Sequence, residues 1–163
     1  MTDFEHRAYI GLGSNLDGPR QRIEQALMAL GSLPLTRPIA HSPLYASSPV
    51  GPQDQPDFIN AVALLATRLS PLALLDQLQA LEQAHRRRRE RRWGPRTLDL
   101  DVLLFDDECL DLPRLRLPHP AMRERAFVLV PLADIAPHEV IDGERADWLA
   151  SRLDHEGLHR LSA

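Results

Sequence analysis

Asp99 and Asp101 stand two residues apart where the segment Arg92-Trp93-Gly94-Pro95-Arg96-Thr97 meets the apolar stretch 98–105. Gly94-Pro95 signals a loop, and the stretch that follows has the length and greasiness of a buried strand, so the sequence predicts an irregular segment running into the sheet. Strand alternation puts both carboxylates on one face, with Cα atoms about 6.5 to 7 Å apart, and Leu98, Leu100 and Val102 on the other. Two carboxylates in such a place are costly unless something cationic neutralises them. Neighbouring arginines are one candidate, and the commoner meaning of an isolated D-x-D. Mg²⁺ is the other, a hard ion held by one or two carboxylates together with substrate phosphates. The cationic segment just upstream favours the ion, because an anion-binding arm beside a metal-binding pair is what polyphosphate chemistry requires.

Charge narrows the ligand further. All 19 basic residues are arginine and none is lysine, which removes the P-loop lysine, the protein-kinase strand lysine and every Schiff-base mechanism. Residues 86–96 hold seven arginines and one glutamate, a net +6, so with −4 for the whole chain the remainder carries −10. An acidic body with one basic arm argues against a general nucleic-acid surface and for a local site that takes a small polyanion. Cys109 is the only cysteine, which excludes an internal disulfide and a thiolate metal cluster. A length of 163 residues with 44% hydrophobic content suits one domain with one core. No apolar run approaches a membrane span of ~20 residues and residues 1–6 lack a signal-peptide pattern, so the default location is cytoplasmic. No exposed apolar stripe demands a partner, which points to a monomer.

The elements that must position the pair follow from pattern. Residues 8–12 predict a short strand, and Gly13-Ser14-Asn15 a strand-to-helix turn without the spacing of a dinucleotide fingerprint. Pro19 suits the first turn of a helix carrying Ile23, Ala26, Leu27 and Leu30 and ended by Gly31. Residues 39–47 read as a strand interrupted by Pro43, hence an edge or bulged one. A Pro-rich polar loop over 48–57 precedes a buried strand over 58–65, in which Asn60 either ties down a loop or presents an amide to a ligand. Ser70-Pro71 caps a long helix with Leu74, Leu75, Leu78 and Leu81 inward, running to about His85. Residues 86–92 have no apolar face and read as a mobile segment ordered by phosphate, or else as a solvated helix end. After the aspartate strand, residues 106–108 form a hairpin turn into 110–112, and the X-Pro pairs around His119 impose an extended path. Arg125 and Phe127 lead into a helix through Leu129 and Leu132, and the tail from His138 holds a turn, a short helix around Trp148 and a closing segment.

This order is that of a ferredoxin-like α+β fold, an antiparallel sheet with helices packed on one face. Gly13-Ser14-Asn15-Leu16, Gly51-Pro52-Gln53-Asp54-Gln55-Pro56 with Phe58 and Asn60, the block from Arg92 through Asp101, and Pro118-His119-Pro120 with Arg125-Ala126-Phe127 together resemble the hydroxymethyl-dihydropterin pyrophosphokinase family of folate biosynthesis. The resemblance covers nearly the whole chain up to Pro137 and implies a single pyrophosphokinase domain over 1–163.

What it implies chemically is transfer of pyrophosphate from ATP, the co-substrate, to the hydroxymethyl oxygen of 6-hydroxymethyl-7,8-dihydropterin, with release of AMP. Asp99 and Asp101 would hold two Mg²⁺ ions, with Arg86 and Arg96 completing the catalytic set. Phe58 and Phe127 would sandwich the pterin, Asn60, Ser47 and Val50 would read its polar edge, and Trp93 would close over the substrates. Gln79, Glu82, Arg86, Arg88, Arg96, Arg114, His119 and Arg125 would border or contact ATP, arginine being suited to bidentate phosphate pairing. Three departures from relatives are His85, where glycine is common, Phe58, where some carry tyrosine, and Arg116, at a position often held by a small polar residue. The competing readings are an RNA- or partner-gripping module without catalysis, and a Mg²⁺-dependent phosphatase or nuclease that uses water as acceptor.

Overall fold

The computed structural model describes residues 5–15, 18–47, 58–88 and 98–161, with residues 86–88 as backbone. The chain runs β1 (His6–Ser14), α1 (Pro19–Leu30), β2 (Thr36–His41), β3 (Tyr45–Ser47), β4 (Phe58–Thr67), α2 (Pro71–Arg88) and β5 (Leu98–Phe105). It continues through β6 (Leu110–Asp111), β7 (Arg116–Leu117), a 3-10 turn (Met122–Glu124), α3 (Ala126–Ile135), β8 (Val140–Ile141), β9 (Glu144–Arg145), α4 (Ala146–Ser151) and β10 (Leu158–Arg160). The main sheet has the order β10-β3-β4-β1-β5, with β2 beside β4, and every pairing is antiparallel. This is the expected α+β class with β1 and β4 at its centre.

Pro43 does interrupt the second strand. β2 and β3 occupy successive stretches of the same edge of β4, and Ser42 bridges the break: its amide donates to the Val62 carbonyl at 2.8 Å and its hydroxyl accepts the Val62 amide at 3.0 Å. Pro19 begins α1 behind Gly18, whose φ of 66° lies in the left-handed region that glycine adopts without strain. Ser70 caps α2 through its hydroxyl and the Ala73 amide, 3.2 Å apart.

Helices cover both faces of the sheet rather than one. Ile23, Ala26 and Leu30 of α1 and Leu74, Leu75 and Leu78 of α2 pack against Ile10, Leu12, Leu65, Leu100 and Val102. On the opposite face Val128, Leu129 and Leu132 of α3 and Leu149 of α4 pack against Tyr9, Val62, Leu64 and Leu103. A β-bulge adds to this second layer: it pairs Tyr9 with Leu104 and Ile10 with Val102, leaving Leu103 as the extra residue. Both Leu103 and Leu104 then face α3 and α4.

Three local expectations change. Gly13 and Ser14 lie inside β1, in register with Asn60 and Ile59, and not in a turn. α2 continues past His85 to Arg88, where arginine is a good helix former and its charge suits the C-terminal end of the dipole. Residues 110–111 pair with β7 in a separate ribbon and not with β5, while the closing segment becomes β10, which extends the main sheet beyond β3.

Candidate active site

The register of the central strands builds the site. Asp99 lies opposite Gly13, which lies opposite Asn60, which lies opposite Tyr45; one step along, Asp101 lies opposite Gly11 and Gly11 opposite Val62. Directly opposed residues share a face, so the carboxylates, the Asn60 amide and two glycines form one patch of floor. The glycines are required for space. A Cβ on Gly13 would stand 3.0 Å from Asn60 Nδ2, and one on Gly11 would stand 3.3 Å from a Leu103 methyl.

Above that floor is a cavity of about 530 Å³. Phe58 from the start of β4, Phe127 from the first turn of α3, Asn60, Ser47, Arg125 and His119 wall it together with Asp99 and Asp101. Its size and its mix of two aromatic rings with few polar groups fit a small flat ligand. Asn60 is 6% exposed, and its side-chain carbonyl accepts the Ser47 hydroxyl at 2.8 Å. That bond fixes the amide so that its NH₂ end lies over Gly13, beside the cavity. Asn60 therefore does both things the sequence offered: it is tied to a neighbour and it presents a donor. Arg125 stacks on Phe127 with Cζ 5.6 Å from the ring centroid.

A second cavity of about 340 Å³ adjoins the first and is bordered by Gln79 and Glu82 of α2 and by Arg114 and Arg116 of the β6–β7 hairpin. Asp101 and His119 line both. One carboxylate and one imidazole thus separate an aromatic seat from a polar, cationic one. Glu82 has a structural bond as well: it accepts the Leu100 amide at 2.7 Å, which satisfies the outer edge of β5 between the two aspartates. His119 donates its amide to the Leu103 carbonyl at 2.9 Å, and its Nδ1 accepts the Ala121 amide at 3.2 Å. Burial pushes the imidazole below its ordinary range, with Arg125 acting the same way and Asp101 opposing. Because Nδ1 accepts the Ala121 amide, the neutral ring carries its proton on Nε2.

The described residues contain no cluster of three or more metal-ligating side chains. What they offer is an all-oxygen pair on one face of β5 lining a cavity. That donor set fits a hard divalent ion completed by phosphate oxygens and water, and does not fit a closed structural metal site. Val50, Trp93 and Arg96 lie outside the described residues, as do the side chains of Arg86 and Arg88 at the end of α2. All the other residues singled out from the sequence line one of the two cavities. A larger trough of about 610 Å³ lies on the surface between β9 and α4 around Trp148, but its charges are already neutralised: Glu144 pairs with Arg123, and Asp147 with Arg145 at 2.7 Å. Gly11 and Gly13 went unread as floor residues, although their spacing of two, matching that of Asp99 and Asp101, is visible in the sequence.

Known proteins match this chain in sequence and in fold. The family model described as 7,8-dihydro-6-hydroxymethylpterin-pyrophosphokinase matches residues 9–137. A Pseudomonas aeruginosa protein named 2-amino-4-hydroxy-6-hydroxymethyldihydropteridine pyrophosphokinase is 56% identical over 156 residues, covering 95% of this chain and 96% of its own. A Haemophilus influenzae protein of the same name is 52% identical over 134 residues, covering 82% of this chain and 84% of its own. Among solved structures, a triple mutant of Plasmodium falciparum HPPK-DHPS with pteroate superposes with a TM-score of 0.76 at 16% identity, over 98% of this chain and 47% of that one. That last likeness concerns the fold alone.

Proposed function

This chain belongs to the 7,8-dihydro-6-hydroxymethylpterin-pyrophosphokinase family, an ATP-dependent diphosphokinase family of folate biosynthesis, and from that premise we propose how its two cavities divide the reaction. The larger seats 6-hydroxymethyl-7,8-dihydropterin between Phe58 and Phe127, with the NH₂ of Asn60 donating to an acceptor on the pterin edge. The smaller seats ATP, with Arg114 on the phosphates and Gln79 and Glu82 along its border. The single observation that carries this reading is the wall the cavities share. Asp101 and His119 border both, so a hydroxymethyl group in one and a triphosphate in the other meet at the carboxylate pair.

In the proposed step the pterin hydroxymethyl oxygen attacks the β-phosphorus in line, and its proton is released to solvent water. The new O–P bond forms as the bond from that phosphorus to the α,β-bridging oxygen breaks, and AMP leaves with that oxygen. Asp99 and Asp101 would hold two Mg²⁺ ions, which when bound neutralise the polyphosphate and lower the cost of deprotonating the alcohol. Asp99 and Asp101 themselves, fixed by strand register and by the Glu82 bond to the Leu100 amide, keep the acceptor and donor seats in constant relation. His119, whose Nδ1 is taken by the Ala121 amide, would offer its Nε2–H to the phosphate side. Arg125 is braced on Phe127 at the shared wall and completes the cationic lining. As the family resemblance implies, Arg86, Arg88 and Arg96 would pair with the phosphates and Trp93 would contact the substrates. The chain acts as a monomer in the cytoplasm without nucleic acid or membrane; among the described residues no helix is long and apolar enough to cross one.

The test is AMP formation from ATP in the presence of Mg²⁺ and the pterin. The reading expects AMP only when both substrates and the metal are present, and pterin diphosphate in equal amount. AMP formed without pterin, with water as acceptor, would contradict it.

A further inference from the structure

Arg114 occupies the apex of a tight hairpin. Leu110 pairs with Leu117 and Asp111 with Arg116, and Leu112 and Leu115 exchange backbone hydrogen bonds of 3.0 and 3.2 Å, leaving Pro113 and Arg114 as the two-residue loop. The backbone there is held on both sides, but the side chain is half exposed and has several rotatable bonds. Its direction is set from α2. One terminal guanidinium nitrogen donates to Asp76 at 2.6 Å and to Gln79 at 2.9 Å, two residues three apart on one face of that helix. That nitrogen carries two hydrogens and both are engaged. The Nε–H and the other terminal NH₂ form the opposite part of the fork, on a side chain that borders the 340 Å³ cavity.

We infer that Asp76 is a positioning residue for nucleotide binding: it holds Arg114 by one nitrogen so that the remaining donors of the guanidinium face the triphosphate. Asp76 itself does not line the cavity and touches no substrate. The inference rests on the assignment of the smaller cavity to ATP. It also separates two opposite roles for an acid beside a binding arginine. An acid competing for the phosphate-facing donors would weaken ATP binding, whereas one engaging only the far nitrogen lowers the cost of ordering the side chain and strengthens it.

The experiment measures KM for ATP, KM for the pterin and kcat in the wild type, Asp76→Ala, Asp76→Asn, Arg114→Ala and the Asp76→Ala/Arg114→Ala double variant, at low and high salt. Asp76→Ala is expected to raise KM for ATP roughly three- to fivefold at low salt, as befits a partly exposed pair, and less as salt screens it. Pterin KM and kcat should stay constant. Asp76→Asn, which keeps an acceptor oxygen, should recover part of the loss, and the double variant should equal Arg114→Ala alone. If Arg114→Ala raises KM for ATP while Asp76→Ala leaves it unchanged or lowers it, or if the two effects add, the positioning role is overturned and the cavity assignment stands. If Arg114→Ala itself leaves KM for ATP unchanged, the cavity assignment falls and the inference falls with it.

Discussion

On the face of the sheet that meets α1 and α2, β5 contributes Leu98, Leu100 and Val102, which are 8%, 3% and 2% exposed. On the face that opens to the larger cavity the same strand contributes Asp99 and Asp101, and the neighbouring β1 contributes no side chain at all at Gly11 and Gly13; the smaller cavity runs along the strand's outer edge, bordered by Leu100 and Val102 as well as Asp101. One face is filled and the other is kept empty. Strand alternation from Leu98 to Val102 lets a single element do both, because successive side chains there point to opposite faces. The physical lesson is that stability and chemistry are separated here residue by residue. They are not assigned to different elements.

Substitutions along β5 should therefore sort by parity. Asp101→Ala and Asp99→Ala should each lower Mg²⁺-dependent AMP formation by about a thousandfold, the scale of losing a main electrostatic contact in the transition state. Their urea unfolding free energies should stay within about 0.5 kcal/mol of wild type, since neither carboxylate is packed in the core. Leu100→Ala should do the reverse in stability, costing about 2 to 5 kcal/mol of unfolding free energy. A Leu100→Ala protein of normal stability would break the comparison as surely as an active Asp101→Ala.

Gly13→Ala sharpens it on the neighbouring strand. The added methyl would meet Asn60 Nδ2, and because the Ser47 bond holds the other end of that amide, the donor has to shift. KM for the pterin should rise roughly three- to tenfold, the worth of one hydrogen bond, with KM for ATP unchanged. An equal rise for both substrates would mean that the floor is shared more broadly than the register suggests.

The smallest effect concerns the far end of the same row. Tyr45 donates its phenol to Asp134 of α3. Burial, and then the Asp134 hydrogen bond, push the Tyr45 hydroxyl up to about 12. The unfolded chain releases that proton nearer the ordinary tyrosine value of about 10. This contribution to stability is thus complete below pH about 10 and is lost as pH rises towards about 12. Denaturant midpoints measured across that range should fall for the wild type and fall less for Tyr45→Phe, with Tyr9, also raised by burial, accounting for part of what remains. Identical slopes would remove Tyr45 from the alkaline response.

Much of this was legible in the sequence. The alternation of Leu98 through Val102, the Pro19 and Ser70-Pro71 helix starts, the break at Pro43 and the aromatic and amide positions Phe58, Asn60 and Phe127 are all signals carried within a few residues. What could not be read depends on distant partners. Gly13 looked like punctuation because glycine commonly is, and only pairing with Asp99 and Asn60 shows that it keeps space clear. The Asp76–Arg114 contact joins residues 38 apart through the β6–β7 hairpin, whose two-residue strands carry too little pattern to show their pairing. β10 is three residues long, exposed over two of them, and gains its place only by pairing with β3. The one-residue bulge at Leu103, which turns Leu104 to the second helical layer as well, is not announced by alternation alone.

The measurement that bears most directly on the account is a count of manganese ions bound per chain, using Mn²⁺ in place of Mg²⁺, with the pterin and an ATP analogue that cannot be cleaved between its α- and β-phosphates. The account predicts two ions for the wild type, and loss of at least one in both Asp99→Ala and Asp101→Ala while the analogue-free proteins stay folded. Two ions retained in either variant would contradict it, because the charge at the meeting point of the cavities would then be supplied by something other than this strand.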